Sequence, residues 1–258
     1  MANATPINVR EAIINDYVSK FIGVCDLSKN YNLHRFTIQR YLKRAKVTLR
    51  KKTPQIRVNH FSFSSYNAES CYWAGFILAD GYIRNNTLEI KQAKKDRSHL
   101  EKIKKWIAFE GEIKGRDNYY GISISSSQLI NDLKNKFEIG NKKSLTCFIS
   151  KKIPQKYLTD FIRGYFDGDG SITYTSTYAI NVVGTYKTID FIINFFYKKG
   201  IRLRSKDMPV ITKVGNVFYT SYSGISAYKC LTRLYKKASV YLDRKFQLYL
   251  NLKLIYER

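Results

Sequence analysis

The strongest constraint on this chain is a phrase written twice. Trp73-Ala-Gly-Phe-Ile-Leu-Ala-Asp-Gly81 is echoed by Ile162-Arg-Gly-Tyr-Phe-Asp-Gly-Asp-Gly170, each an apolar run closed by aspartate and glycine. Gly75 and Gly164, Asp80 and Asp169, and Gly81 and Gly170 all lie 89 positions apart. The same offset relates Leu100 to Ile189, Trp106 to Phe195 and Gly111 to Gly200, so the register survives well beyond the phrase. An offset that holds over this length marks an internal duplication, two copies of one unit.

The patterns around the phrase predict the same elements in both copies. In the first they are a helix over 68–80, strands over 82–84 and 87–93 about Asn85-Asn86, a helix over 98–108, a hairpin of 112–116 with 119–123, and a helix over 127–137. In the second they are a helix over 157–166, strands within 171–183, a helix over 188–199, a hairpin of 201–204 with 217–221, and helices over 227–235 and 242–256.

Gly75 and Ala79 stand one turn apart in the first phrase, as Gly164 and Gly168 do in the second. Small residues on one helix face let two backbones approach, so the two helices are expected to pack on each other. Asp80 and Asp169 then lie together at the C-terminal ends. Helix dipoles disfavour carboxylates there and like charges repel, so a cation is required. Mg2+ suits carboxylate oxygens and phosphate, and Mn2+ can substitute. An Asp-Gly pair is also an ordinary turn former, which is the competing account of either copy taken alone.

Upstream, helices are predicted over 9–21, 25–30 and 34–44, with Ile38, Tyr41 and Leu42 inward and Arg35, Thr37, Gln39, Arg40, Lys43 and Arg44 exposed. Helix, short helix, tight turn and basic helix make the pattern of a helix-turn-helix, resembling the resolvase and transposase type. A small helical cap with a solvated basic face would read the same way. Arg50, Lys51, Lys52 and the serine-rich run 61–65 suggest a basic linker along phosphates. The expected division is 1–52, a linker 53–65, and half-domains 66–153 and 154–258.

Charge points the same way. Lys and Arg outnumber Asp and Glu 45 to 20, a net charge of +25 that calls for a polyanionic partner. The four cysteines are scattered, suggesting neither a zinc site nor a disulfide framework, and a reducing compartment is expected. No apolar stretch suits a membrane span or signal peptide, so the expected location is the cytoplasm or an organelle.

At the doubled phrase the chain resembles the LAGLIDADG homing endonucleases in their single-chain, two-motif form, over residues 66–258. Asn141-Lys-Lys-Ser144, Ile153-Pro154 and Phe161-Ile-Arg-Gly164 also match what that family shows between its motifs. The family's earlier motif acid is Leu78 in one copy and Asp167 in the other, a position that the resemblance implies is not a metal ligand. The resemblance implies an α+β fold of two pseudo-symmetric αββαββα half-domains joined through the motif helices. Saddle-shaped antiparallel sheets would lie in the major groove of double-stranded DNA.

It further implies that Asp80 and Asp169 bind the metals, that Gln92 and Asn181 orient water, and that Lys143 with Arg244 or Lys245 completes the sites. Strand residues Arg84, Lys91, Lys114, Arg116, Tyr119, Thr173, Thr175, Arg202, Arg204 and Lys213 would meet DNA. The implied activity is a Mg2+-dependent, staggered double-strand break at a long asymmetric target, made by a monomer. A transcription regulator on a decayed scaffold and a maturase acting on intron RNA are the alternatives.

Overall fold

The computed structural model describes residues 5–20, 22–49, 56–140, 147–203 and 208–257. The chain divides into two units, Met1–Gln55 and Ile56–Arg258.

The first unit has helices α1 (Ile7–Val18), α2 (Val24–Asn30) and α3 (Arg35–Arg44). Ile13, Tyr17, Leu27, Ile38, Tyr41 and Leu42 form its buried core. The turn between α2 and α3 passes through Asn32 at φ 49, a left-handed conformation that asparagine tolerates better than most residues.

The second unit begins earlier than composition suggests. Residues 56–65 were expected to be linker, yet Phe63 is fully buried, edge-on to Trp106 at 5.0 Å and Phe137 at 6.0 Å. Asn59 N donates to Ile107 O, and Glu110 N to Arg57 O. The polar residues here are anchors as well: Ser64 Oγ donates to Asp132 Oδ2, and His60 Nδ1 meets Ser126 Oγ at 2.7 Å.

Helix α4 (Ala68–Asp80) starts in a capping box, in which Asn67 Oδ1 accepts from Ser70 N at 2.7 Å and Ser70 Oγ accepts from Asn67 N at 2.9 Å. It runs directly into β1 (Gly81–Arg84), followed by β2 (Thr87–Ala93), α5 (Arg97–Trp106), β3 (Lys114–Arg116), β4 (Tyr119–Ser125) and α6 (Ser127–Lys136). The second copy comprises α7 (Leu158–Asp169), β5 (Gly170–Tyr174), β6 (Tyr178–Gly184), α8 (Tyr186–Lys198), β7 (Thr212–Val214), β8 (Val217–Ser223), α9 (Gly224–Tyr235) and α10 (Asp243–Tyr256).

The strands make two four-stranded antiparallel sheets, ordered β1-β2-β4-β3 and β5-β6-β8-β7. Leu88, Ile90, Ile122 and Ile124 of the first, and Ile180, Val182 and Tyr222 of the second, join one apolar core with the helices. Each sheet therefore keeps one face inward and turns the other to solvent. Among the described residues no helix is long and apolar enough to cross a membrane.

Two expectations change. The partner of β8 is 212–214 rather than 201–204, because the two-residue turn Gly215-Asn216, with Gly215 at φ +57, closes a tight hairpin. Arg202 lies outside the strands with its guanidinium 4.3 Å from the Tyr197 ring, and Arg204 falls outside the described residues. The second motif helix also continues past 166 to Asp169, so both motif acids are the last residues of their helices.

Candidate active site

The two motif helices meet backbone to backbone. A Cβ on Gly75 would overlap the carbonyl oxygen of Phe161, and one on Gly164 would overlap that of Tyr72. These contacts are the same contact seen from both sides, since Tyr72 and Phe161 are also 89 positions apart. Gly168 faces Ala79 as closely and has Asp80 Oδ2 beside it. Glycine inside a helix costs about 0.5 to 1 kcal/mol against alanine, and here it permits the close approach of α4 and α7.

Asp80 and Asp169 thus end adjoining helices, both half-buried, each immediately before the first strand of its own sheet. They share neighbours: both lie near the Tyr165 phenol and the Lys245 ammonium. Lys245 is only 1% exposed, and its Nζ donates to Phe166 O at 2.6 Å, Asp167 O at 2.8 Å and Gly170 O at 2.5 Å. It caps the C-terminus of α7, supplying positive charge where the dipole is negative. Burial pulls its pKa down to about 8, with the carboxylates of Asp167, Asp80 and Asp169 opposing the fall. All three ammonium protons are taken by carbonyls, so Lys245 organises the site from beneath rather than reaching into it.

Arg244 has a different occupation. Its Nε lies 3.0 and 2.9 Å from the two Asp96 carboxylate oxygens, tying the second copy to the first. Lys102 Nζ adds a bond to Asp243 Oδ1 at 2.5 Å and to Tyr241 O at 2.9 Å. Lys143, the expected counterpart in the first copy, lies outside the described residues, as do Arg50, Lys51 and Lys52.

Gln92 lies on the inward face of β2, with Nε2 donating to Asp80 Oδ2 at 2.7 Å. Asn181 does not repeat this. Gly81 pairs with Ile90, nine residues on, whereas Gly170 pairs with Val182, twelve residues on. The second hairpin is therefore three residues longer. The first copy regains those residues in a 3-10 turn, Lys94–Asp96, and the offset of 89 resumes at the next helix. Asn181 consequently faces outward, donating to Thr173 Oγ1 at 3.4 Å. Gly184, paired with Phe218, takes the place that Gln92 holds opposite Tyr120. The Tyr165 hydroxyl fills this slot and donates to Val183 O at 2.8 Å. Burial, and then the Asp169 carboxylate, push its pKa well up. Sequence reasoning missed Tyr165, although its equivalent at the common offset is Phe76 and the added hydroxyl was visible.

The donors fit a hard divalent cation. The two acids offer oxygen ligands only, and among the described residues no group of three or more His, Cys, Asp or Glu forms a closed cage. Carboxylate oxygens are the ligands a hard divalent cation takes, together with water and phosphate oxygens.

The outward face of the first sheet carries Tyr82 and Arg84 on β1, Lys91 on β2, Lys114 and Arg116 on β3, and Tyr119 on β4. Lys91, Gly121 and Lys114 lie in one row across three strands. Thr173 and Asn181 occupy the corresponding face of the second sheet, and Thr175 is exposed in the turn between β5 and β6. Lys213 is the exception. It is paired directly with Phe218, whose side of β8 also carries the buried Thr220 and Tyr222, and directly opposed residues share a face. On α3, Arg35, Arg40, Lys43 and Arg44 are exposed, Thr37 and Gln39 are half-buried, and Phe36 adds a 62% exposed ring.

No family model matches the sequence, and no curated protein is significantly similar to it. Solved structures do share its architecture. The LAGLIDADG meganuclease I-AabMI bound to uncleaved DNA aligns with a TM-score of 0.53 at 13% identity, over 74% of this chain and 92% of that one. The meganuclease I-SmaMI bound to uncleaveable DNA with a TTGT central four gives 0.52 at 14% identity, over 75% and 90%. The I-SmaMI LAGLIDADG homing endonuclease bound to cleaved DNA gives 0.51 at 14% identity, over 75% and 90%. Across about three quarters of its length, the chain has the α+β fold of the LAGLIDADG homing endonucleases.

Proposed function

We propose that this protein is a site-specific DNA endonuclease that depends on Mg2+ and makes a staggered double-strand break at a long asymmetric target. The observation that carries the reading is the pair Asp80 and Asp169, on the adjoining ends of two helices in backbone contact. Each acid leads straight into a sheet whose outward face bears polar side chains, basic in the first, with Arg84, Lys91, Lys114 and Arg116, and uncharged in the second. Two meganucleases of the same fold, I-AabMI and I-SmaMI, have been solved bound to DNA.

Asp80 and Asp169 would hold the metal, which supplies Lewis-acid stabilisation of the phosphate and a lowered pKa for bound water. Gln92 orients the Asp80 carboxylate by hydrogen bond. Lys245 offsets the negative end of α7 and keeps Asp169 tolerable there. Lys143 is assigned to stabilise charge developing on the phosphate. Arg84, Lys91, Lys114 and Arg116 set the register on phosphates and read base edges, with Thr173 and Asn181 on the second sheet. The N-terminal unit acts as a helix-turn-helix, with α3 presenting Arg35, Thr37, Gln39, Arg40, Lys43 and Arg44 to a flanking groove. Intron or free-standing mobility of its gene accords with such an activity.

A cleavage selection on randomised DNA, with Mg2+ and with EDTA, tests the reading. Linear products that need metal and vanish with Asp80→Asn or Asp169→Asn are expected. Tight DNA binding without cleavage in any divalent metal would overturn it in favour of a binding protein.

A further inference from the structure

The two halves hold their motif acids by different means. In the first, the Gln92 amide reaches Asp80 from the inward face of β2, and the helix residue four before Asp80 is Phe76. In the second, the strand position is Gly184, which has no side chain to offer, and the helix residue four before Asp169 is Tyr165. A Cβ built on Gly184 would overlap the Tyr165 hydroxyl oxygen, so the phenol occupies the space the missing side chain would enter. The hydroxyl donates to Val183 O at 2.8 Å, on the residue just before Gly184, and Asp169 lies within hydrogen-bonding reach of it. Residues four apart share a helix face, which places Tyr165 under Asp169 without any help from the strand. Phenylalanine with glutamine in one half has become tyrosine with glycine in the other.

We propose that Tyr165 is the positioning residue for Asp169, doing from the helix what Gln92 does for Asp80 from the strand. The inference rests on the endonuclease reading and deepens it, because it makes the two half-sites chemically unequal. A glutamine amide has two protons and a phenol one. Gln92 can hold Asp80 and its own Lys91 carbonyl together, at 2.7 and 2.9 Å, whereas Tyr165 has a single proton with which to serve Val183 O, at 2.8 Å, and Asp169. The second half-site is held less tightly, and the DNA strand it serves is cut second.

Strand-resolved cleavage of a selected target is the test, with Mn2+ binding to the DNA-free protein, followed by electron paramagnetic resonance, as a readout independent of turnover. Tyr165→Phe is expected to slow one strand about 10-fold, as for a lost hydrogen bond to a charged group, and to build up nicked duplex. It should weaken Mn2+ binding and leave the other strand unchanged. Gly184→Gln in the Tyr165→Phe protein is expected to restore both readouts, since it rebuilds the first half's arrangement in the space the oxygen vacates. Gly184→Gln alone should lower the melting temperature, because the hydroxyl is still there. Equal slowing of both strands, or no recovery of either readout in the double variant, overturns the assignment. If the wild-type protein cuts no DNA, the endonuclease reading fails, and the Mn2+ measurements still decide the role of Tyr165.

Discussion

The hydroxyl of Tyr72, in the first motif helix, donates to Asp167 Oδ2 in the second at 2.7 Å. Asp167 is 1% exposed and also accepts from the Tyr235 hydroxyl at 2.5 Å and Leu242 N at 2.8 Å. Burial pushes its pKa up, while Lys245 and these three donors oppose the shift. The same place in the first copy is Leu78. One buried acid with a full set of donors bolts the helix interface to α9 and the start of α10. A second across the interface would add a like charge with nothing to pair it.

His99 completes that network and sets an acid limit. The Tyr72 proton goes to Asp167, so His99 Nε2 carries a proton and donates to the tyrosine oxygen across 3.0 Å. Nδ1 is buried with no hydrogen-bond partner, and protonating it would create an unsatisfied N–H. Burial accordingly lowers the pKa from 6.5 to about 3. The unfolded chain takes up this proton first, so the contribution is present above pH 6.5 and is lost as pH falls towards about 3, by a few kcal/mol in all. Denaturant unfolding across that window should show a shallower loss of stability in His99→Gln than in the wild type.

Gln92 and Asn181 look equivalent in sequence and should behave differently. Gln92→Leu removes a hydrogen bond to the Asp80 carboxylate and is expected to slow one strand about 10-fold at unchanged affinity. Asn181→Ala should leave the rate at the preferred site within about twofold and relax base preference there by about 1 to 3 kcal/mol. Single-turnover kinetics and a repeated site selection measure the two effects. A rate loss with Asn181→Ala and none with Gln92→Leu would reverse their assigned positions.

The helix seam should tolerate no added methyl group. Gly164→Ala puts a Cβ into the Tyr72 carbonyl and is expected to cost about 3 kcal/mol or more, because backbone must move. Gly140→Ala meets nothing within 4 Å and should stay within about 0.5 kcal/mol of the wild type. Thermal melts of the two purified variants give the comparison directly.

Removing residues 1–55 is expected to weaken binding to a long target and to reduce its salt dependence, since α3 carries Arg35, Arg40, Lys43 and Arg44. The single-turnover rate at saturating protein should persist, because both motif acids and the buried Phe63 belong to the remaining unit. Equal affinity of the truncated and full-length proteins for a long target would remove the N-terminal unit from the DNA footprint.

The duplication, the contacting helices and the two aspartates could all be read from one line of residues. Glycines and acids at a constant offset are local signals, and helical periodicity places them without knowledge of anything distant. The core of the first unit was as legible, because Ile38, Tyr41 and Leu42 follow the helix period. Three-dimensional packing decided the rest. Phe63 sits in a serine-rich stretch and owes its burial to Trp106 and Phe137, far along the chain. Nothing local separates Lys245 from Arg244 until the end of α7 turns three carbonyls onto the lysine. The exchange of Asn181 for Gly184 was hidden because a longer hairpin and a shorter strand-to-helix junction cancel in the numbering. An offset counts residues, whereas a sheet counts hydrogen-bonded pairs, and only the pairs decide which side chain faces the site.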